Sequence, residues 1–343
     1  MKYRENDNLI SKQASKQASK QARRELWIDV CRGIGILFVV LGHCHPEHLL
    51  KFIYSFHMPL FFVLSGYLFH YENLTLGSLL RKLSRAYLIP YFFLCGVNYL
   101  LLFLQCCVSG NKFYAVKYIA GIFYSRGTVE WMPNCSPLWY LTAQFVALII
   151  FWVICKAENK IVRYLVLPIG LAAISYLLYM IKIPKLPWNI DTACMAVVFI
   201  SFGCWIKKEY HGKLNKFLLF VIALTAGIIG TCFNPIDAVS FDDSEYGNLL
   251  FMVLGAIGFS IVFILISKLI ALRDERVLSA IGKHTIFIMA FDYFAGSIAV
   301  HFITNAYGMF VLKCALLFVG FLIWNFIANI LPECGLRRLM KKC

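Results

Sequence analysis

The amino-acid sequence predicts an all-α, polytopic membrane bundle of about ten transmembrane helices with both termini in the cytoplasm. Three observations carry that expectation. Hydrophobic residues make up 60% of the chain and charged residues 15%, far from the balance of a soluble globular domain. The apolar residues fall into separate runs that approach or exceed the roughly 20 residues needed to cross a bilayer. The lysines and arginines of successive connections alternate between two sides, with a large excess on one.

The runs lie at about 26–44, 49–69, 86–107, 137–155, 161–181, 189–206, 214–232, 248–270, 277–301 and 308–331. One side receives the N-terminal tail, then Arg81, Lys82 and Arg85, then Lys156, Lys160 and Arg163. It also receives Lys207, Lys208, Lys213 and Lys216, then Lys268, Arg273, Arg276 and Lys283, and finally Arg337 to Lys342. That is 25 basic residues, against six on the other side: Lys51, Lys112, Lys117, Arg126, Lys182 and Lys185. Such a bias marks the cytoplasmic face and calls for an even number of spans.

Residues 1–25 are expected to be a basic, disordered cytoplasmic tail. They contain SKQA three times in tandem from Ser11 to Ala22, and the long polar lead is not the short apolar core of a cleavable signal peptide. Residues 26–335 would form the integral-membrane domain and 336–343 a basic cytoplasmic tail. No room for a separate soluble catalytic domain is expected among these residues, so any chemistry is expected in or against the membrane. The net charge of +15 is a topology signal, and nucleic acid is not an expected partner. The 13 cysteines lie mostly inside apolar runs, where cysteine acts as a small hydrophobe. Their spacing fits no metal site.

On the outer side, the connection from about Ser109 to Pro137 is rich in aromatics and includes Glu130 and Trp131. The loop from Asn234 to Asn248 carries Asp237, Asp242, Asp243 and Glu245 with no basic residue. Carboxylates and rings suit a polyhydroxylated ligand. The same composition also follows from a simple depletion of lysine and arginine on the outer face.

Asp29 to Tyr67, DVCRGIGILFVVLGHCHPEHLLKFIYSFHMPLFFVLSGY, is the informative stretch. Two apolar runs meet at a very short turn, and both contain polar groups. An ionisable residue inside a span is costly, by about 3 kcal/mol or more, and marks a functional site by default. Arg32 and His43 are eleven residues apart; at about 100° per residue they share one helix face, separated by about 16 Å along the axis. Asp29 sits one turn before Arg32, where an ion pair alone would also account for it. His57 lies in the outer half of the second run, beside Pro59, which is expected to kink its helix. Four histidines fall between His43 and His57, but no H-E-x-x-H pattern accompanies them, and no metal is expected. Ten spans with buried ionisable groups also describe a transporter or permease for a sugar or lipid precursor, although the polar groups cluster in the first two spans rather than repeating in two halves.

An arginine, ten residues and a histidine, preceded by an aspartate and followed by SFHMPLFFVLSGY, resemble the integral-membrane acyltransferase family three, especially its fucose 4-O-acetylase-like branch. RKLSRAYLIPY (Arg81 to Tyr91), SPLWYL (Ser136 to Leu141), NIDTACMAVVFISFG (Asn189 to Gly203) and IGKHTIFIMAFD (Ile281 to Asp292) extend the likeness along the chain. At Asp292 the family's ninth span usually has histidine, and at His284 asparagine or a similar residue is common. The resemblance implies a cell-membrane O-acyltransferase, located in the bacterial cytoplasmic membrane. It would use cytoplasmic acyl-CoA, usually acetyl-CoA, as co-substrate, with no bound cofactor, and its acceptor would be a hydroxyl of a surface carbohydrate or its lipid-linked precursor. Arg32 and His43 carry over as the family's essential pair, and Arg81, Lys82 and Arg85 as its basic cytoplasmic motif. The expected catalytic set is therefore His43, His57, Asp29 and Arg32. The expected acyl-CoA contacts are Arg32, Arg81, Lys82 and Arg85, and the expected acceptor contacts Trp139, Asp191 and Glu130.

Overall fold

The computed structural model describes residues 26–340 except 126, 211, 213, 274, 275, 333 and 334. The expected tail at 1–25 and the last three residues lie outside the described residues. All ten expected runs coincide with helices, and among the described residues there is no strand, only one antiparallel bridge between Ser240 and Glu245.

Helix α1 (26–42) and α2 (Leu50–Leu68) form the hairpin. Helix α3 (Leu76–Leu83) leads through a π-helical turn at Ser84–Leu88 into α4 (Ile89–Ser109). The connection that follows, expected as an outer loop, contains a short helix, α5 (Ala115–Tyr124). Then come α6 (Trp139–Ile154), α7 (Leu167–Met180), α8 (Ile190–Lys208), α9 (Lys216–Phe233) and α10 (Leu249–Ile270). Helices α11 (Arg276–Lys283) and α12 (Thr285–Ala299) meet at a 78° bend, followed by α13 (Ala306–Ile330) and α14 (Gly335–Met340). The expected C-terminal tail therefore includes a helix, held where Trp324 Nε1 donates to Met340 O at 3.0 Å.

By length and apolar composition, seven of these helices can cross a membrane, or eight if the bent pair counts as one span. The hairpin helices are not among them: α1 has 17 described residues, and α2 carries Lys51 and His57. Burial explains why they tolerate polar groups. Among the apolar helices, α6 is 78% and α8 67% buried, whereas the segments holding α4, α7, α9 and α13 are each 17% buried and present leucine, isoleucine and phenylalanine outward. The outer ring meets lipid, and the hairpin is enclosed behind it.

Glycines set the tightest contacts. A Cβ on Gly66 of α2 would stand 1.9 Å from Ile200 O, and one on Gly203 of α8 1.9 Å from Val63 O, so these two backbones are in direct contact, as small residues permit within membranes. Likewise a Cβ on Gly33 would meet Leu278 O at 2.1 Å, and one on Gly282 would meet Asp29 O at 1.7 Å. Helix α11 is thereby pressed across the first half of α1. Pro59 does not break α2, which runs unbroken from Leu50 to Leu68.

Candidate active site

A cavity of about 590 Å³ lies between the hairpin and the elements packed on it. Its wall follows helical periodicity. Helix α1 and the residue just past its end contribute Arg32, Ile36, Val39 and His43, in steps of three or four residues, while α2 contributes Tyr54, His57, Met58, Phe61 and Ser65, adjacent His57 and Met58 within a series otherwise stepped by three or four; each series follows one helix face. The stripe from Arg32 to His43 is thus a continuous wall, with the arginine at one end and the histidine at the other. Lys283 and Thr285, at the α11–α12 bend, and Ala86 and Tyr87, in the π-helical turn, also line the cavity. Such turns recur where a helix is adapted to a site. Thr128 and Val129, Trp139, and Ser240 to Asp243 complete the lining named here.

The turn after α1 is tight. His45 adopts a left-handed backbone, φ 51°, and Leu50 N donates to Pro46 O at 2.9 Å to open the next helix. His45 lines the cavity; burial, then the proximity of His43, hold its imidazole below its ordinary range.

His43 and His57 have defined tautomers. His43 Nδ1 donates to Asp292 Oδ2 at 2.7 Å. A carboxylate only accepts, so the proton sits on Nδ1 and the lone pair on Nε2. His57 Nδ1 donates to Ile53 O at 2.8 Å, which again leaves Nε2 as the acceptor. A tyrosine packs edge-on against each ring: Tyr293 at 5.0 Å from His43 and Tyr54 at 4.9 Å from His57. The other oxygen of Asp292, Oδ1, lies 2.7 Å from Lys313 Nζ on α13, with side chains 0% and 2% exposed. His43, 17% exposed, and the enclosed Asp292 and Lys313 form a row drawn from three segments of the chain.

The expected site residues divide into three groups. Arg32, His43, His57 and Trp139 all line the cavity. Asp29 pairs with Arg32 at 3.7 Å but does not line it. Arg81, Lys82 and Arg85 are exposed and also outside the lining, although the adjoining Ala86 and Tyr87 belong to it. Glu130 points away, 71% exposed and 2.6 Å from Lys117.

Asp191 lies outside the lining as well. It is 3.5 Å from Lys185 Nζ and accepts from Ser244 Oγ at 3.0 Å. Lys185 also donates to Thr192 Oγ1 at 2.9 Å and to Phe241 O at 3.3 Å; burial lowers its ammonium's ordinary range, partly offset by Asp191. This network anchors the loop whose Asp242 and Asp243 reach the cavity. Ser240 Oγ lies 2.6 Å from Asp242 Oδ1 and 3.0 Å from Asp243 Oδ2, and burial, followed by repulsion from Asp243, lifts the Asp242 carboxyl above its usual range. Among the described residues, no group of three or more histidines, cysteines and carboxylates is arranged to hold a metal.

Lys313 belongs to none of the motifs quoted from the sequence. Its signal was present: of 33 lysines and arginines, 25 and six belong to the two faces and one is Arg32. The remaining one, Lys313, lies inside an apolar span, where an ionisable group marks a site.

A family model described as an acyltransferase domain, acyltransferase family three, matches residues 25–331. No curated protein and no solved structure matches the chain. The family match takes in the hairpin with Arg32, His43 and His57, the bend at α11–α12, and Asp292 and Lys313. With nine-tenths of the chain inside that match, this protein belongs to acyltransferase family three and is a multi-pass membrane enzyme that transfers acyl groups.

Proposed function

We propose that the enzyme moves an acyl group, in the simplest case acetyl, from cytoplasmic acyl-CoA to a hydroxyl of a cell-surface carbohydrate or its lipid-linked precursor, as the fucose 4-O-acetylase-like branch it resembles would. The observation that carries this reading is the shared cavity. Basic Arg32 and Lys283 line it near the start of α1, where Gly282 packs on Asp29, and Asp242 and Asp243 line it on the side of Tyr54 and Tyr293, whose rings pack on His57 and His43. Cationic side chains suit the phosphates of CoA, for which guanidinium pairing is strong; carboxylates and tyrosines suit a hydroxylated acceptor. Family membership as an acyltransferase removes the permease alternative.

In this mechanism the acceptor hydroxyl donates its hydrogen bond to an imidazole Nε2. His43, backed by Asp292, takes the proton as the hydroxyl oxygen attacks the thioester carbonyl carbon. The new C–O bond forms, the tetrahedral intermediate collapses with cleavage of the C–S bond, and the imidazolium returns the proton to the departing CoA thiolate. His57 orients the hydroxyl as an acceptor; its Nδ1 proton is committed to Ile53 O, so neutral His57 has no donor for the reacting carbonyl. Tyr87 and Tyr140 supply donors along the cavity for the developing oxyanion.

Incubation of membranes with radiolabelled acetyl-CoA is expected to yield a labelled acceptor, and His43→Ala to abolish it; near-normal labelling by that variant would refute the base assignment. Replacing Arg81 and Arg85 together by glutamate is expected to raise the KM for acyl-CoA, and an unchanged KM would remove those residues from the donor site. Mass spectrometry of surface glycans from wild-type and deletion cells identifies the acceptor by a difference of one acyl group.

A further inference from the structure

We propose that Lys313 is a positioning residue of the acyl transfer: by balancing the charge of Asp292 it keeps His43 neutral, and so able to accept a proton, at physiological pH. The proposal rests on the reading of His43 as the base. Its own foundation is the row His43–Asp292–Lys313, two contacts of 2.7 Å that use the two oxygens of one carboxylate.

The argument is a count of charges in a place that tolerates few. Asp292 and Lys313 are almost wholly enclosed, at 0% and 2% exposure, and an isolated ion there is expensive. With Lys313 as ammonium and Asp292 as carboxylate, the row is neutral only if His43 is uncharged. Its Nε2 then carries a lone pair. Without the ammonium, the carboxylate would keep His43 as its ion-pair partner among the described residues, and the neutral arrangement would be an imidazolium paired with it. A histidine held that way has no lone pair and cannot be a general base. With Lys313 present, the row carries an extra charge only while the proton is in transit.

The other titratable groups around His43 do not replace this function. On its own segment, Cys44 and His45 are near. Helix α2 presents Tyr54 and His57, and α12 presents Tyr293 beside Asp292. Helix α13 adds Cys314 next to Lys313. From the outer loop, Asp242 and Asp243 act on Tyr54 and Tyr293. Lys313 is the cation in salt-bridge contact with Asp292. A pair serving only to clip α12 to α13 would affect stability and leave the titration of His43 alone.

The test is histidine NMR on the full chain, isotopically labelled at histidine, in detergent micelles, with the His43 signal identified by its loss in His43→Gln. The wild type is expected to show neutral His43 at pH 7. Lys313→Met should raise the His43 midpoint by about 1–3 pH units, the size of a nearby charge effect, and should move the acid limb of the acyl-transfer rate profile in the same direction. Lys313→Arg should keep the wild-type midpoint. An unmoved or lowered midpoint in folded Lys313→Met overturns the proposal. If that variant does not fold, Asp292→Asn and the double variant Asp292→Asn with Lys313→Met decide: the midpoint must be lower where the lysine remains, and equal midpoints overturn it. A midpoint that moves as expected, combined with full acyl transfer by His43→Ala, would instead refute His43 as the base and leave the charge balance standing.

Discussion

Replacing Asp292 by asparagine separates what the carboxylate does from what its bulk does. Asparagine has the same shape but one oxygen and one amide nitrogen. Lys313 Nζ, 2.7 Å from Oδ1, has only protons to offer and selects the asparagine oxygen. The amide NH2 then faces His43 Nδ1 across the 2.7 Å contact, where the wild type has an acceptor. Nδ1 must become the acceptor, so the ring proton moves to Nε2 and points into the cavity. A base in the wrong tautomer is no base, and loss of general-base catalysis costs about 10² to 10⁴ in rate. Breaking the buried pair also leaves Lys313 uncompensated, a penalty of about 3–5 kcal/mol, so the assay must report both properties. Turnover of labelled acetyl-CoA in membranes measures the first, and thermal unfolding of detergent-purified protein the second. The expected result is a fall in turnover of at least about 100-fold with the KM for acyl-CoA nearly unchanged, since Arg32 and Lys283 are untouched. Adding Lys313→Met to Asp292→Asn frees the amide to offer its oxygen to His43, and is expected to recover part of both rate and stability. Turnover of the single variant within a few-fold of wild type would refute the tautomer argument.

Other predictions follow from the same structure. Gly282→Ala would bring a Cβ to 1.7 Å from Asp29 O, so α11 must withdraw from α1; a loss of about 1–3 kcal/mol, read from thermal unfolding, and a raised KM for acyl-CoA are expected, because Lys283 retreats with the helix. The Asp242 carboxyl, raised above its usual range by burial and by Asp243, is ionised only above that raised value. Acceptor KM is therefore expected to increase as pH falls through it, and Asp242→Asn should flatten that dependence. Lys185→Met removes the anchor of the same loop; acceptor KM should rise while the KM for acyl-CoA holds, and a change confined to the donor would contradict the assignment of ends.

What could be read in the sequence was whatever a single helix decides. Arg32, Ile36, Val39 and His43 share a face because a helix turns by a fixed angle per residue, and no distant contact is needed to know it. Apolar runs, separated by polar connections, marked a helix at each of the ten expected places for the same reason. Depth along a helix axis was also legible, but direction around it was less so for single residues. Glu130 and Asp191 were placed at the outer end by position alone; packing turned one towards solvent and the other towards Lys185. Which helices are enclosed was a matter of packing too. The hairpin keeps its polar groups because neighbours cover them, so apolar composition by itself identifies seven or eight candidate spans among the described residues and leaves out α1 and α2.

The sequence by itself determined a membrane bundle and an arginine–histidine stripe on one of its helices. Tertiary structure alone supplied the partner of that histidine, 249 residues away on α12, and the lysine of α13 behind it. Local periodicity ends where a helix ends, and the row His43–Asp292–Lys313 exists only because close packing brings α12 and α13 against the end of α1.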